Sequence, residues 1–103
     1  MEAQLKKGVL EMCVLHTIRE QPMYGYDVMK LMGQYFPEVN ESTFYAILRR
    51  LHADGSAELT LGEKSGGPPR KYYSLTPAGR EALNRSMEAW RHISGVVRDV
   101  GIV

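Results

Sequence analysis

A chain of 103 residues has room for one compact domain with one modest core, which excludes a two-domain enzyme. Hydrophobic residues make up 44% and charged residues 24%, with 10 Gly and 5 Pro, so wholesale disorder and collagen-like or low-complexity structure are excluded too. The 13 basic and 12 acidic side chains leave a net charge of +1, which argues against a protein that coats nucleic acid through bulk positive charge.

Leu5 to Glu20 carries two apolar sets, one with Leu5, Val9, Met12 and Cys13 and one with Leu10, Val14, Leu15 and Ile18, as suits a helix contacted from two sides. Pro22 ends it. A second helical pattern starts near Tyr24, places Tyr24, Val28, Leu31, Met32 and Tyr35 at spacings of three and four, and stops at Pro37. Its Gly25 and Gly33 lower its intrinsic propensity, so packing must hold it. The third helix is the cleanest: Asn40 is a good N-cap, Phe44, Ile47, Leu48 and Leu51 make one apolar stripe, and Gly55 supplies a left-handed stop. Ser42, Ala46, Arg49 and Ala53 point away from that stripe, with Thr43, Tyr45 and Arg50 along its flanks.

After Gly55 the period changes to two. Ala57, Leu59 and Leu61 alternate with Glu58 and Thr60, a break follows at Lys64-Ser65-Gly66-Gly67-Pro68-Pro69, and Arg70 to Leu75 is extended. This is a β-hairpin with a long tip, in which Tyr73 and Leu75 are expected to meet Leu59 and Leu61 on the core side, with Arg70 and Tyr72 outward. Thr76-Pro77 then opens a last helix that runs to Gly95 or beyond and carries Leu83, Met87, Trp90, Ile93, Val97 and Val100. With no repeat or linker, the chain reads as one unit of residues 1–103: a helical core with its hairpin over 1–75, the hairpin itself over 57–75, and a C-terminal helix over 76–103.

The order helix, helix, helix, strand, strand, helix is mainly α with a small β component, and it is the arrangement of a winged helix-turn-helix. A helix suits the major groove if its outward side chains are short enough for close approach yet include donors for base edges; Ser42, Thr43, Ala46 and Arg49 meet both conditions. Basic residues on the hairpin, Lys64, Arg70 and Lys71, would reach flanking phosphates or the minor groove. Charge is partitioned to match. Residues 42–80 hold Arg49, Arg50, Lys64, Arg70, Lys71 and Arg80 against Asp54, Glu58 and Glu63, whereas residues 1–41 hold Lys6, Lys7, Arg19 and Lys30 against six carboxylates. The near-neutral total is therefore an average over unlike halves.

Four blocks in order, Tyr24-Gly25-Tyr26-Asp27-Val28, Ser42 through Leu51, Gly55, and Gly67 through Gly79, resemble the successive signatures of the PadR family of bacterial transcriptional regulators. Ala46 and Ser42 stand where the family commonly has a proline and a glycine. The resemblance implies a homodimeric repressor of double-stranded DNA, with the first and last helices building the dimer, and a chain of this length resembles the short subfamily. It also implies, as in some short members, a paired aromatic at the Trp90 position that sandwiches flat hydrophobic molecules between subunits. Gly8, Glu11, Met12, Leu15, Met87 and Ser94 would line such a cavity, with Glu11 offsetting a cationic ligand.

Each of these readings has a plainer rival. The DNA-binding set is Tyr24, Asn40, Ser42, Thr43, Tyr45, Arg49, Arg50, Lys64, Arg70 and Lys71; any one basic residue alone reads as solvated surface, and their common location is what favours DNA. Tyr24 and Tyr26 can be packing residues, with a phosphate contact from the Tyr24 hydroxyl as the sharper alternative. Trp90 can be plain interface without a ligand, and the whole fold can serve protein interaction instead of DNA. Cys13 and His16 lie one turn apart but lack a third ligand, and His52 and His92 have no obvious partners, so no metal and no cofactor is expected. No nucleophile, base and orienter combine into a catalytic motif. The single cysteine suits a reducing compartment, and without a signal peptide or membrane-length apolar run the expected location is the cytoplasm, with no membrane partner.

Overall fold

The computed structural model describes residues 3–62 and 67–103, with side chains from Lys6 onward. The expected contact residue Lys64 lies outside the described residues. Seven elements follow in chain order: α1 (Ala3–Thr17), β1 (Met23–Tyr24), α2 (Gly25–Tyr35), α3 (Glu41–Ala53), β2 (Ala57–Leu61), β3 (Lys71–Leu75) and α4 (Pro77–Val100).

The helix α1 ends at Thr17, before the expected Glu20, and side chains satisfy carbonyls at and just beyond its end. The Thr17 hydroxyl donates to Cys13 O at 2.7 Å, Arg19 Nη1 donates to His16 O at 2.7 Å, and Arg80 Nη2 reaches across from α4 to Arg19 O at 2.9 Å. Tyr24 does not begin the second helix; it is the N-cap of α2 and the second residue of β1. A two-residue strand has no period to read, so only its partner reveals it: Met23 and Tyr24 pair antiparallel with Tyr73 and Tyr72.

In α3 the Asn40 side chain accepts from the Ser42 N–H at 3.1 Å, and the helix closes before Gly55, whose φ of 85° is a conformation that costs glycine least. The stripe Phe44, Ile47, Leu48 and Leu51 is buried together with Leu10, Val14, Leu15 and Ile18 of the α1 segment and Val28, Met29 and Met32 of α2. These residues, with Ala57, Tyr73 and Leu83, form the core.

The sheet order is β1-β3-β2, and β3 is therefore its centre. Leu59 faces Tyr73 and Ala57 faces Leu75, as the alternation requires. Leu61 departs from expectation: it pairs with Lys71 and is 65% exposed, because the hairpin has by then left the helices that would cover it. At the other end Thr76 caps α4 by accepting from the Gly79 N–H at 3.0 Å, and Gly79 packs so closely on the Ser56 carbonyl that no Cβ could fit.

The helix α4 spans 24 residues, about 36 Å at 1.5 Å per residue, and only its first part packs against the core, through the buried Gly79 and Leu83 and the partly buried Ala82 and Met87. Its remainder projects. The chain measures 55 × 30 × 20 Å with a radius of gyration of 15.0 Å, against roughly 13 Å for a compact chain of this length. Trp90, Ile93, Val97 and Val100 lie along this projecting part and are all exposed.

Candidate nucleic-acid interface

Burying the apolar stripe of α3 turns its opposite face outward, so Ser42, Ala46 and Arg49 are exposed along one ridge. The ridge separates two grooves. On the hairpin side a groove of about 310 Å³ is lined by Tyr24, Tyr26, Tyr45, Arg49, Arg70 and Lys71, with Pro68 and Pro69 at its outer wall. Five of the expected contact residues, from three separate elements and the hairpin tip, thus meet in one place.

Aromatic rings organise this groove. Tyr24 lies 5.9 Å from Tyr26 and 5.8 Å from Tyr72 between ring centroids, and the Arg70 guanidinium sits 5.0 Å from the Tyr24 ring centre. The cation–π contact holds Arg70 at the groove instead of letting it sweep through solvent. Burial, followed by the neighbouring Tyr24 and Glu41, pushes the Tyr45 hydroxyl above the ordinary tyrosine value. Tyr45 therefore stays protonated and a hydrogen-bond donor throughout the physiological range, as a phosphate contact requires. Tyr26 is 46% exposed and lines this groove, with its ring beside that of Tyr24. Tyr26 is a groove residue outside the expected contact set, and Tyr72 backs the groove by packing on Tyr24; the strand pairing of Tyr24 with Tyr72 leaves no short-range signal.

On the other flank of the ridge, Asn40, Thr43 and Arg50 border a second groove of about 580 Å³ against α1. Here one expected contact residue, placed on the flank as its helical position requires, is paired within the chain. Arg50 is separated from Arg49 and turned towards α1, where its Nη2 lies 2.8 Å from Glu11 Oε1 in an ion pair too poorly aligned to count as a hydrogen bond. Adjacent helical residues sit about 100° apart, and that rotation carries Arg50 off the outer face.

The residues expected to line a ligand cavity are likewise divided. Met12, Met87 and Trp90 border an apolar groove of about 640 Å³ with Cys13, His16 and Phe36, whereas Gly8, Glu11 and Leu15 border a different groove of about 400 Å³ with Ala82 and Arg85. Glu11 is paired with Arg50. Ser94 lies further along α4, its hydroxyl bonded to the Arg91 carbonyl at 3.3 Å. Within one chain these residues do not make a single cavity. Burial raises the Cys13 thiol above its ordinary value, and among the described residues no three His, Cys, Asp or Glu side chains cluster as a metal site. No helix among them is long and apolar enough to cross a membrane.

Residues 14–85 match the Transcriptional regulator PadR-like family. The chain belongs to that family. A PadR-like transcriptional regulator from Bacillus cereus is similar over 95% of this chain and 96% of its own, with 35% identity and a TM-score of 0.81. A Streptococcus transcriptional regulator superposes with a TM-score of 0.84 at 31% identity, covering 96% of this chain and 98% of its own. A transcriptional regulator of Mycobacterium tuberculosis is 27% identical over 93 residues, 88% of this chain and 84% of that protein. The fold is the PadR winged helix, with α2 and α3 as its helix-turn-helix, the β2–β3 hairpin as its wing and α4 as its long C-terminal helix. As a PadR-type regulator the protein binds DNA and controls transcription; it is not an enzyme.

Proposed function

We propose that this PadR-type regulator acts as a homodimeric repressor of a pseudo-palindromic operator, with α3 in the major groove and the wing on the adjoining backbone. The observation that carries the reading is the outward ridge of α3, short side chains plus Arg49, flanked by a groove that gathers Tyr24, Tyr45, Arg70 and Lys71. Short side chains permit close approach to base edges, and the flanking cations and hydroxyls suit phosphates. The exposed apolar stripe on α4 supports self-association, since a soluble chain seldom leaves such a stripe bare. A two-fold dimer would present two recognition helices, so half-sites should lie about 10 base pairs apart or a multiple of that.

The test is a gel shift on the DNA upstream of the protein's own gene at several salt concentrations. Arg49→Ala and Lys71→Ala should each weaken binding, the wing lysine also lowering the salt slope by about 0.9 for each phosphate lost. Unchanged binding in both variants removes the assignment. Protection of the promoter's polymerase site by the bound protein separates repression from activation.

A small-molecule effector is favoured by one observation: Trp90, 47% exposed, stands at the rim of the apolar groove that also holds Met12 and Met87. In a dimer a flat hydrophobic ligand could stack there, and by linkage it would release DNA only by binding the DNA-incompetent arrangement more tightly. Titrating flat aromatic dyes while following Trp90 fluorescence tests this; absence of quenching across a broad panel leaves a regulator without such an effector.

A further inference from the structure

The α3 ridge has a cation-bearing groove on each side, and DNA binding as proposed uses only one. A helix with its side chains is 10–12 Å across and the major groove about 12 Å wide, so an inserted helix has one phosphate backbone close on each flank. On the wing flank stand Arg70 and Lys71. On the opposite flank the groove beside Thr43 and Ala46 is bordered by Lys6 and Lys7 of α1, over a floor that includes Leu10 and Ile47. We infer that Lys7, assisted by Lys6, holds the phosphate backbone on this second flank, so that α1 takes part in DNA binding. The inference rests on α3 being the element that enters the groove.

Three features of the site support it. The apolar floor gives the lysine stems a surface to lie along while their ammonium groups reach outward. Lys7 is exposed and has no ion-pair partner among the described residues. Lys6 is partnered by Glu38 at 3.6 Å, a long contact at the surface that a phosphate can replace. The third cation of the groove, Arg50, is excluded from the set because Glu11 lies against it at 2.8 Å in a partly buried position. The arrangement also explains how a chain of net charge +1 can gather enough phosphate contacts: the two basic residues at the start of an otherwise acidic N-terminal part sit where the DNA would pass.

The experiment uses a fluorescent duplex recovered by selection from a random-sequence library with the unaltered protein, and follows binding by anisotropy from 50 to 300 mM potassium chloride. Lys7→Ala should lower the slope of log K against log salt by about 0.9 per half-site, Lys6→Ala/Lys7→Ala should lower it further, and Lys7→Arg should keep it. Circular dichroism should show all three variants folded. A slope that Lys7→Ala and the double variant leave unchanged overturns the inference even if affinity falls, since a merely structural lysine moves affinity without moving the number of ions released. Failure of the unaltered protein to recover any duplex overturns the DNA reading itself, a distinct outcome.

Discussion

The helices α3 and α4 carry the same kind of apolar stripe and meet opposite fates. Phe44, Ile47, Leu48 and Leu51 of α3 are at most 5% exposed, covered by α1, α2 and the sheet of their own chain. On α4 the stripe is covered only as far as Leu83 and partly at Met87; beyond that, Trp90 is 47%, Ile93 54% and Val100 73% exposed. Amphipathic periodicity thus states that a face wants cover, without stating whose side chains provide it. Where the chain supplies its own cover the helix becomes part of the DNA-reading core. Where it does not, the stripe is available to a second copy.

Substitutions in the two stripes should therefore fail in different ways, and the largest effect belongs to α3. Phe44→Ala empties a fully buried ring position and should cost about 3–5 kcal/mol, a large part of the 5–15 kcal/mol that holds a small domain together. Thermal unfolding by circular dichroism should show the midpoint collapse. The next effect is on assembly. Ile93→Asp/Val97→Asp should leave the core intact yet abolish self-association, read as a shift from dimer to monomer mass in sedimentation equilibrium. Some helical signal should go as well, because the projecting end of α4 would be an isolated helix of little intrinsic stability. A dimer of unchanged affinity in this variant would break the comparison by placing the interface elsewhere.

The sequence shows the α3 stripe, the Asn40 cap, the Thr76-Pro77 start and the wing because each is a local pattern of a few residues. What escaped it was set by distant neighbours. Tyr24 belongs to a strand only because Tyr72 is there to pair with it, and Leu61 is exposed only because the hairpin outruns the helices. Helical rotation puts Arg50 on the flank of α3, but its pairing with a carboxylate thirty-nine positions away has no local signal. The proposed ligand residues divide for a related reason: Glu11 and Met12 are neighbours in sequence, yet they face different grooves on either side of the contact between α1 and α4.

The Arg50–Glu11 pair offers a smaller test of the same contrast between residues used inside the chain and residues left for a partner. With side chains 40% and 26% exposed, the pair should contribute about 1 kcal/mol or less. Arg50→Ala should thus lower stability slightly and leave the salt slope of DNA binding unchanged. A slope reduced by about 0.9 per half-site would show instead that Arg50 leaves Glu11 for a phosphate.

The smallest effect concerns Cys13, which borders the apolar groove next to Met12, Met87 and Trp90 and so reports on whether anything covers that face. Burial already raises its thiol above the ordinary value, so the reactive thiolate is scarcer at neutral pH than for an exposed cysteine. Alkylation by iodoacetamide should be slow at pH 7.5 and should climb with pH over a range displaced upward from that of a free thiol. If a second copy lies over the groove, access adds a further restraint: the unaltered protein should react more slowly than Ile93→Asp/Val97→Asp at the same pH, and the difference should shrink on dilution below the dimer dissociation constant. Equal rates at every concentration would mean that the groove stays open in the assembled regulator. A ligand stacking on Trp90 would then reach it from solvent instead of through the dimer interface.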